Sequence, residues 1–209
     1  MKAKGATEVA EEAARLLYYG CVEDYKRAKT VACSNLGLKI LPNNFDVAMK
    51  VNALADKIEG KLRSELLIDL RKKALLIMNE LAVFNPKLVG SVWRGTSRKG
   101  SDIDITVYSE NIDAVINLIK SHYDNVRSEY TAKTSGGVTT RFFHIYLKPY
   151  PSCNVEVVVR SPEEINKRHR CEIYGDYITG LTRDQLCKLL ENGPLKKMIP
   201  KKKMVFRNR

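Results

Sequence analysis

The chain has 209 residues and a hydrophobic content of 44%, which is sufficient for a packed core and excludes a disordered chain. Lysines and arginines number 36 against 24 acids, so the formal net charge of +12 favours acidic partners such as nucleic acid or polyphosphates. The apolar runs are too short to span a membrane, a signal peptide is absent, and the five cysteines lack zinc-ligand spacing. We therefore expect a cytoplasmic protein with reduced thiols and no membrane association.

The first 84 residues are predicted to form a helical region. Apolar residues recur there at helical spacing, and Gly20 and Gly60 separate successive segments. The longest helix is predicted to face inward with Leu62, Leu66, Leu70, Leu75, Met78 and Leu81. Core packing is the expected role of these helices, and binding of an acceptor is the alternative.

From residue 85 to residue 160 the pattern changes to strands with one helix. Strands are predicted at 87–90, 102–108, 126–132, 139–147 and 154–160, with a helix over 111–123 and a hairpin turn at 135–137. Beyond residue 160, the pairs Ser161/Glu164 and Thr182/Gln185 have the spacing of capping boxes that begin helices. The predicted fold class is α+β: a mixed β-sheet packed on helices, with a helical N-terminal region and a small helical C-terminal region over 161–209.

The end of the chain is a basic tail. Its last fifteen residues contain no acid and seven basic residues, namely Lys196, Lys197, Lys201, Lys202, Lys203, Arg207 and Arg209. Two interpretations stay open for this tail. It is either a solvated segment that aids solubility or a contact to a phosphate backbone, and the second would make binding steeply dependent on salt.

Paired carboxylates give the strongest chemical signal. Asp102 and Asp104 lie two residues apart on a predicted strand, so they project from one face while Ile103 and Ile105 point into the core. Two carboxylates so close repel each other, and a divalent cation such as Mg²⁺ removes the conflict. Glu156, an acid within an apolar strand, is the candidate for a third ligand because an unpaired charge there is costly. A solvent-facing position on a half-exposed strand is the alternative for Glu156.

A glycine turn precedes these carboxylates. Gly90 permits a tight turn and a close approach of phosphate to the backbone, and the Ser91 hydroxyl can donate to a phosphate oxygen. A helix that begins just after Ser91 would add its positive end. Arg94 is the leading phosphate-binding side chain, and Ser101 completes the predicted nucleotide-binding set. The basic stretch 98–100 links this turn to the carboxylate strand.

The spacing of Gly90-Ser91, ten residues, and Asp102-Ile103-Asp104 resembles the signature of the DNA polymerase beta-like nucleotidyltransferase superfamily. The fuller string resembles archaeal CCA-adding enzymes and minimal nucleotidyltransferases, and the whole chain is similar to archaeal predicted nucleotidyltransferases. The resemblance implies that residues 85–160 are the catalytic core. It also implies that Asp102 and Asp104 bind two Mg²⁺ ions, with Mn²⁺ as an alternative, that Glu156 completes one metal site, and that Gly90 and Ser91 hold a nucleoside triphosphate, ATP in the first instance.

The expected reaction is transfer of a nucleoside monophosphate from this triphosphate to an acceptor hydroxyl. RNA is the first candidate acceptor because of the basic tail. Two alternatives stay open. One is adenylylation of a protein, as in antitoxin nucleotidyltransferases, and the other is a non-catalytic module that binds RNA or nucleotide. The adjacent carboxylates argue against the second, because a phosphate-binding module has no need of them.

Histidine and aromatic side chains give weaker signals. The three histidines lack metal-ligand spacing and are predicted to be structural: His122, His144 and His169. Three aromatic residues are predicted to pack against the core or surface, with base stacking as the alternative: Trp93, Tyr146 and Tyr150.

Overall fold

The structure, a computed structural model, describes residues 2–135 and 138–201. Two predicted features lie outside the described residues: the glycines at 136 and 137 in the predicted turn, and residues 202–209 of the basic tail. Two compact units are present. The first comprises residues 2–60, 170–177 and 198–201, and the second comprises Lys61–His169 and Ile178–Lys197.

The first unit is built mainly from helices. Its helices are α1 (Lys2–Tyr18), α2 (Tyr25–Leu36) and α3 (Asn44–Glu59). Helix α1 packs on both α2 and α3. The core between them is built from small side chains, which allow helices to approach closely: Val9, Ala10, Ala13, Ala14, Ala28, Ala32, Val47 and Val51. The Asn43 side chain caps α3 by accepting the backbone N–H of Asp46 at 2.7 Å.

The second unit contains a six-stranded mixed sheet in the order β3-β4-β5-β2-β1-β8. Its strands are β1 (Lys87–Val89), β2 (Ile103–Tyr108), β3 (Arg127–Ser135), β4 (Val138–Tyr150), β5 (Cys153–Arg160) and β8 (Leu181–Thr182). The central strands β2 and β5 run parallel, and all other neighbours are antiparallel. Two further short strands, β6 (His169–Arg170) and β7 (Tyr177–Ile178), pair with each other.

Four helices accompany the six-stranded sheet: α4 (Lys61–Glu80), α5 (Gly90–Arg94), α6 (Ile112–His122) and α7 (Arg183–Asn192). Helix α4 contacts β1, β2, α5 and α7, so it supports both the sheet and the turn after β1. The predicted α+β class is therefore confirmed. Within the described part of the chain, no helix combines the length and apolar character that crossing a bilayer requires.

The inward face of α4 differs from the predicted one. Leu70 is buried as expected, but Leu62 is 71% exposed, and Leu67 is buried in the inward stripe. Arg63 and Arg71 are also buried on this side. The predicted stripe is confirmed at Leu70, Met78 and Leu81 and is wrong at Leu62. It also missed Arg63 and Arg71, which occupy inward positions and hydrogen-bond to backbone carbonyls.

One of the two predicted capping boxes forms. The predicted helix after Ser161 is wrong, because only a single 3₁₀ turn, Pro162–Glu164, follows and the Ser161 side chain makes no cap. Its hydroxyl donates instead to Glu110 Oε1 at 2.8 Å. Thr182 and Gln185 do form a reciprocal capping box at the start of α7, as predicted.

This contrast supplies a matched pair of variants. Thr182→Ala removes a cap that satisfies a helical N–H, so the free energy of unfolding should fall by about 1 kcal/mol in urea denaturation. Ser161→Ala removes only a surface hydrogen bond and should change it by less than about 0.5 kcal/mol. Equal losses in the two variants would contradict the assignment of the capping box.

Candidate active site

The three predicted catalytic carboxylates lie together on one face of the sheet. Asp104 in β2 pairs in register with Glu156 in the parallel strand β5 and with Val89 in β1. Asp102 lies one residue before β2, and its Oδ1 accepts a hydrogen bond from Asn154 Nδ2 at 3.0 Å. Because register partners on adjacent strands share a face, the parallel pairing brings together acids that are fifty-two residues apart in sequence.

The opposite face of these strands forms the core. Ile103, Ile105, Val155 and Val157 are at most 1% exposed. Strand alternation therefore turns Asp104 and Glu156 away from the core, as predicted. Both of these carboxylates are only partly buried, which leaves them accessible to a ligand.

Mutual repulsion is visible in the pKa of Asp104. Burial, then the neighbouring charges of Glu156 and Asp102, raise this pKa from 3.8 to about 7, while a hydrogen bond from the Ser91 backbone N–H acts in the opposite direction. Neighbouring carboxylates are hard oxygen donors of the type that suits a divalent cation. The residues present therefore fit, by the type of their donor atoms, the Mg²⁺ ions that the resemblance implies. In the described part of the chain, their side chains are not arranged as a group of three that could hold a metal ion.

The turn at Gly90 is built against Asp104. Gly90 has φ +68°, in the left-handed region, and a Cβ added there would lie 2.6 Å from Asp104 Cγ and overlap its carboxylate. Only glycine combines this backbone conformation with this approach. The next residue, Ser91, donates its backbone N–H to Asp104. Helix α5 begins at Gly90 and has only five residues, so the predicted helix is a short turn.

Arg63 holds the loop that follows α5. From α4, its Nε donates to Ser97 O at 2.8 Å and its Nη2 donates to Thr96 O at 2.9 Å. Arg63 is 5% exposed, so these bonds form away from solvent. A buried guanidinium is costly unless its donors are satisfied, and here backbone carbonyls of the loop satisfy them.

Arg71 holds α5 itself in the same way. Its guanidinium donates to Val92 O at 3.1 Å, Trp93 O at 3.0 Å, Pro194 O at 2.6 Å and Lys196 O at 3.0 Å. Burial lowers the pKa of Arg71 to about 10, so the group stays charged at neutral pH. Neither arginine was selected from the sequence. The available signal was their spacing of eight residues, which places both on the helical face that also carries Leu67 and Leu70.

The surroundings of the predicted phosphate-binding side chains give less direct support for their role than those of the carboxylates. Arg94 is 4% exposed, and its guanidinium lies 4.4 Å from the centroid of the Trp93 ring. The Ser101 hydroxyl accepts the backbone N–H of Arg98 at 2.9 Å and closes the turn before the carboxylate strand. Lys99, next to Arg98, is exposed. A nucleotide-binding role for Arg94 and Ser101 therefore stays a prediction.

His144 connects the third carboxylate to a threonine. Its Nδ1 lies 2.6 Å from Glu156 Oε1, and its Nε2 lies 2.6 Å from Thr131 Oγ1. Because an ionised carboxylate only accepts, we assign the proton to Nδ1 and make Nε2 the acceptor of the threonine hydroxyl. Tyr146 stacks on His144, with ring centroids 6.1 Å apart and planes 11° from parallel. Across residues 2–135 and 138–201, no three His, Cys, Asp or Glu side chains already stand in metal-coordinating geometry.

Comparison with known families agrees with this geometry. The sequence model of the nucleotidyltransferase domain family matches residues 71–206, which is more than half of the chain. The matched range contains the Gly90 turn and all three carboxylates. No curated protein matches the chain.

The Gly90 turn generates the first prediction for this site. Gly90→Ala should force the Asp104 side chain to rotate, break its hydrogen bond from Ser91 and abolish nucleotidyl transfer, as measured with a labelled nucleoside triphosphate. Gly100→Ala is the control, because Gly100 also has a positive φ, of +80°, but open space where the Cβ would stand. Both variants should lose roughly 1 kcal/mol of stability from backbone strain. Equal retention of activity would contradict the close-approach requirement.

The raised pKa of Asp104 leads to a second prediction for this site, which concerns the dependence of stability on pH. Its folded-state pKa of about 7 exceeds the ordinary 3.8, so native stability is present at low pH and is lost as pH rises through this window. At pH 8 without divalent ions, Asp104→Asn should therefore raise the free energy of unfolding by about 1–3 kcal/mol. The gain should vanish near pH 4, as measured by urea denaturation. Exposed Asp113→Asn should show no such gain, and a destabilised Asp104→Asn at pH 8 would contradict the electrostatic assignment.

Proposed function

Because the chain belongs to the nucleotidyltransferase domain family, within the polymerase beta-like superfamily, we propose that it moves a nucleoside monophosphate from ATP to a hydroxyl of RNA with divalent metal ions. The family match makes the chain a transferase of nucleotidyl groups. The single observation that supports the proposal of metal-dependent transfer is the position of Asp104. It lies in register with Glu156 and in contact range of the Gly90 turn.

Asp102, Asp104 and Glu156 are the proposed ligands of two Mg²⁺ ions, with Mn²⁺ as an alternative. Support comes from their shared face and from the raised pKa of Asp104, which is caused first by burial and then by the charges of Glu156 and Asp102. When bound, such ions neutralise the triphosphate and lower the pKa of the attacking hydroxyl. The chain's own contribution is to hold three acids close together, although Glu156 and Asp102 disfavour the ionisation of Asp104.

Gly90 and Ser91 are proposed to hold the triphosphate. Gly90 presents bare backbone, and the Ser91 hydroxyl can donate to a phosphate oxygen. Arg94 and Ser101 complete the set, and since one is buried and the other closes a turn, their proposed contribution is the positive charge and shape of the loop. The buried arginines Arg63 and Arg71 keep this loop in place, so phosphate binding requires little rearrangement.

The proposed reaction is an in-line displacement at the α-phosphorus. The acceptor oxygen forms a bond to this phosphorus, the bond to the bridging oxygen breaks, and pyrophosphate leaves. Glu156 is positioned to receive the proton of the acceptor hydroxyl, because its carboxylate is fixed by His144 and is partly exposed. Most of the rate enhancement would then arise from positioning and charge neutralisation.

RNA is proposed as the acceptor because the net charge of +12 favours a polyanion. The basic tail contributes seven of the chain's cationic residues, although its last eight positions lie outside the described residues. A cytoplasmic location belongs to the same proposal and is supported by the five cysteines, all of which are free thiols.

The test is a labelling experiment. Wild-type protein incubated with α-labelled ATP, Mg²⁺ and total RNA should transfer label to RNA, and the labelling should disappear when the metal is chelated. Asp102→Asn/Asp104→Asn should lower transfer by at least about 10³-fold, because charge stabilisation of the transition state is lost. Asp113→Asn, an exposed acid on α6, should retain wild-type activity. Activity retained by the double variant would contradict the metal assignment, and label found on protein alone would replace RNA by a protein acceptor.

A further inference from the structure

A cavity of about 240 Å³ opens beside the carboxylates, on the side away from the Gly90 turn. It is lined by Asp102, Glu156, Arg127, Tyr146 and Lys148, among others. Two acids and two cations thus face one space. Its volume is below the range of about 300–1,000 Å³ typical of pockets that enclose whole small molecules. The cavity therefore suits one terminal group of a longer ligand.

Strand register explains why these residues meet. Asp104 pairs with Glu156, Glu156 with Tyr146, and Tyr146 with Arg127, so the four form one row across β2, β5, β4 and β3. Neighbouring strands are about 4.8 Å apart, so the row spans roughly 14 Å from Asp104 to Arg127. Along this row the charge changes from negative at the proposed metal ligands to positive at the sheet edge.

Lys148 and Asn154 also line this cavity. Asn154 donates to Asp102, and Lys148 lines the same cavity two residues beyond Tyr146 on β4. Arg127 and Lys148 are both exposed. In the part of the chain that the structure describes, neither cation forms a salt bridge to a carboxylate. Two cations without acidic partners, at a fixed distance from the reaction centre, are placed to receive an anion.

Tyr146 completes this surface. It lines the cavity from β4, in register with Glu156 on one side and with Arg127 on the other. Its ring is held by stacking on His144 and by a hydrogen bond from its hydroxyl to Glu129 Oε1 at 3.1 Å. A fixed, partly exposed aromatic ring between cations is a common feature of single-strand binding surfaces.

We propose that this cavity is the acceptor site and that it binds the 3′ end of a single-stranded nucleic acid. The terminal hydroxyl would reach Glu156 and Asp102, and the preceding phosphodiester would contact Arg127 and Lys148. The inference rests on the proposed nucleotidyl transfer and adds the chemistry of the acceptor to it. A protein hydroxyl carries no neighbouring phosphate and would leave both cations without a function.

Binding can be tested without catalysis. The probe is a fluorescein-labelled 12-nucleotide single-stranded RNA with a free 3′-hydroxyl, titrated with full-length protein and followed by fluorescence anisotropy. Arg127→Ala/Lys148→Ala should raise the Kd at least about tenfold and reduce the salt dependence by about 0.7 in log–log slope for each lost phosphate contact. Arg127→Glu/Lys148→Glu, checked for folding by circular dichroism, should weaken binding further.

The matched control is Arg141→Ala/Lys120→Ala, which removes one exposed arginine and one exposed lysine outside this cavity. It should bind the RNA like the wild type. A DNA strand of the same sequence distinguishes the two sources of phosphodiester, and a loss of affinity for either strand supports the cavity as the site. Equal affinity of the wild type and Arg127→Ala/Lys148→Ala, or an equal loss in the control, would overturn the inference.

Failure of the inference and failure of the proposed function give different results. A wild-type protein that does not bind ATP with Mg²⁺ in isothermal titration contradicts the proposed function. A wild-type protein that binds ATP and transfers label, but has no affinity for either strand, contradicts only the acceptor site.

Discussion

The site depends on the close approach of the backbone turn at Gly90 to the carboxylate of Asp104. A side chain at position 90 would occupy the position of the Asp104 carboxylate, and the left-handed backbone of this residue would be strained as well. The approach fixes where a phosphate bound to the turn would lie relative to the acids. It also forces Asp104 into a partly buried position between Glu156 and Asp102, where its own ionisation is disfavoured. The proposed phosphate recognition and the proposed metal binding would therefore both depend on this one contact.

Such a contact lowers stability unless the surrounding structure holds it. Helix α4 supplies this support from behind the loop, through buried guanidinium groups rather than apolar packing alone. Each guanidinium binds backbone carbonyls, so the support does not depend on the side chains of the loop. The cost of burying two arginines is offset by their satisfied donors, and both α5, which carries Ser91 and Arg94, and the loop after it are held in place. The close contact lowers stability, but it leaves the turn in one conformation before a ligand binds, as is common at catalytic sites.

Acidic and basic side chains lie in different parts of the sheet, which would set the direction from which a polyanion approaches. Acids cluster where β2 and β5 run parallel, and two exposed cations, which form no salt bridge within the described residues, lie on β3 and β4. His144 and Tyr146 stand between them and bind one acid each, Glu156 and Glu129. When the terminal hydroxyl of a polyanion approaches the acids, its phosphates can bind to the cations. The cations can therefore attract the polyanion from a distance without hindering the reaction at the carboxylates.

The sequence by itself determined the types of elements, the shared face of Asp102 and Asp104, and the need for glycine before them, because these follow from local periodicity and backbone sterics. It also indicated Glu156, through the cost of a charge in an apolar strand. Only the tertiary structure decided which distant groups meet. The parallel register of β2 and β5 places Glu156 beside Asp104, and the rotation of α4 is set by carbonyls to which its arginines bind. These partners lie tens of residues apart, so no local pattern encodes them, and their identity is fixed only when strands pair and helices pack.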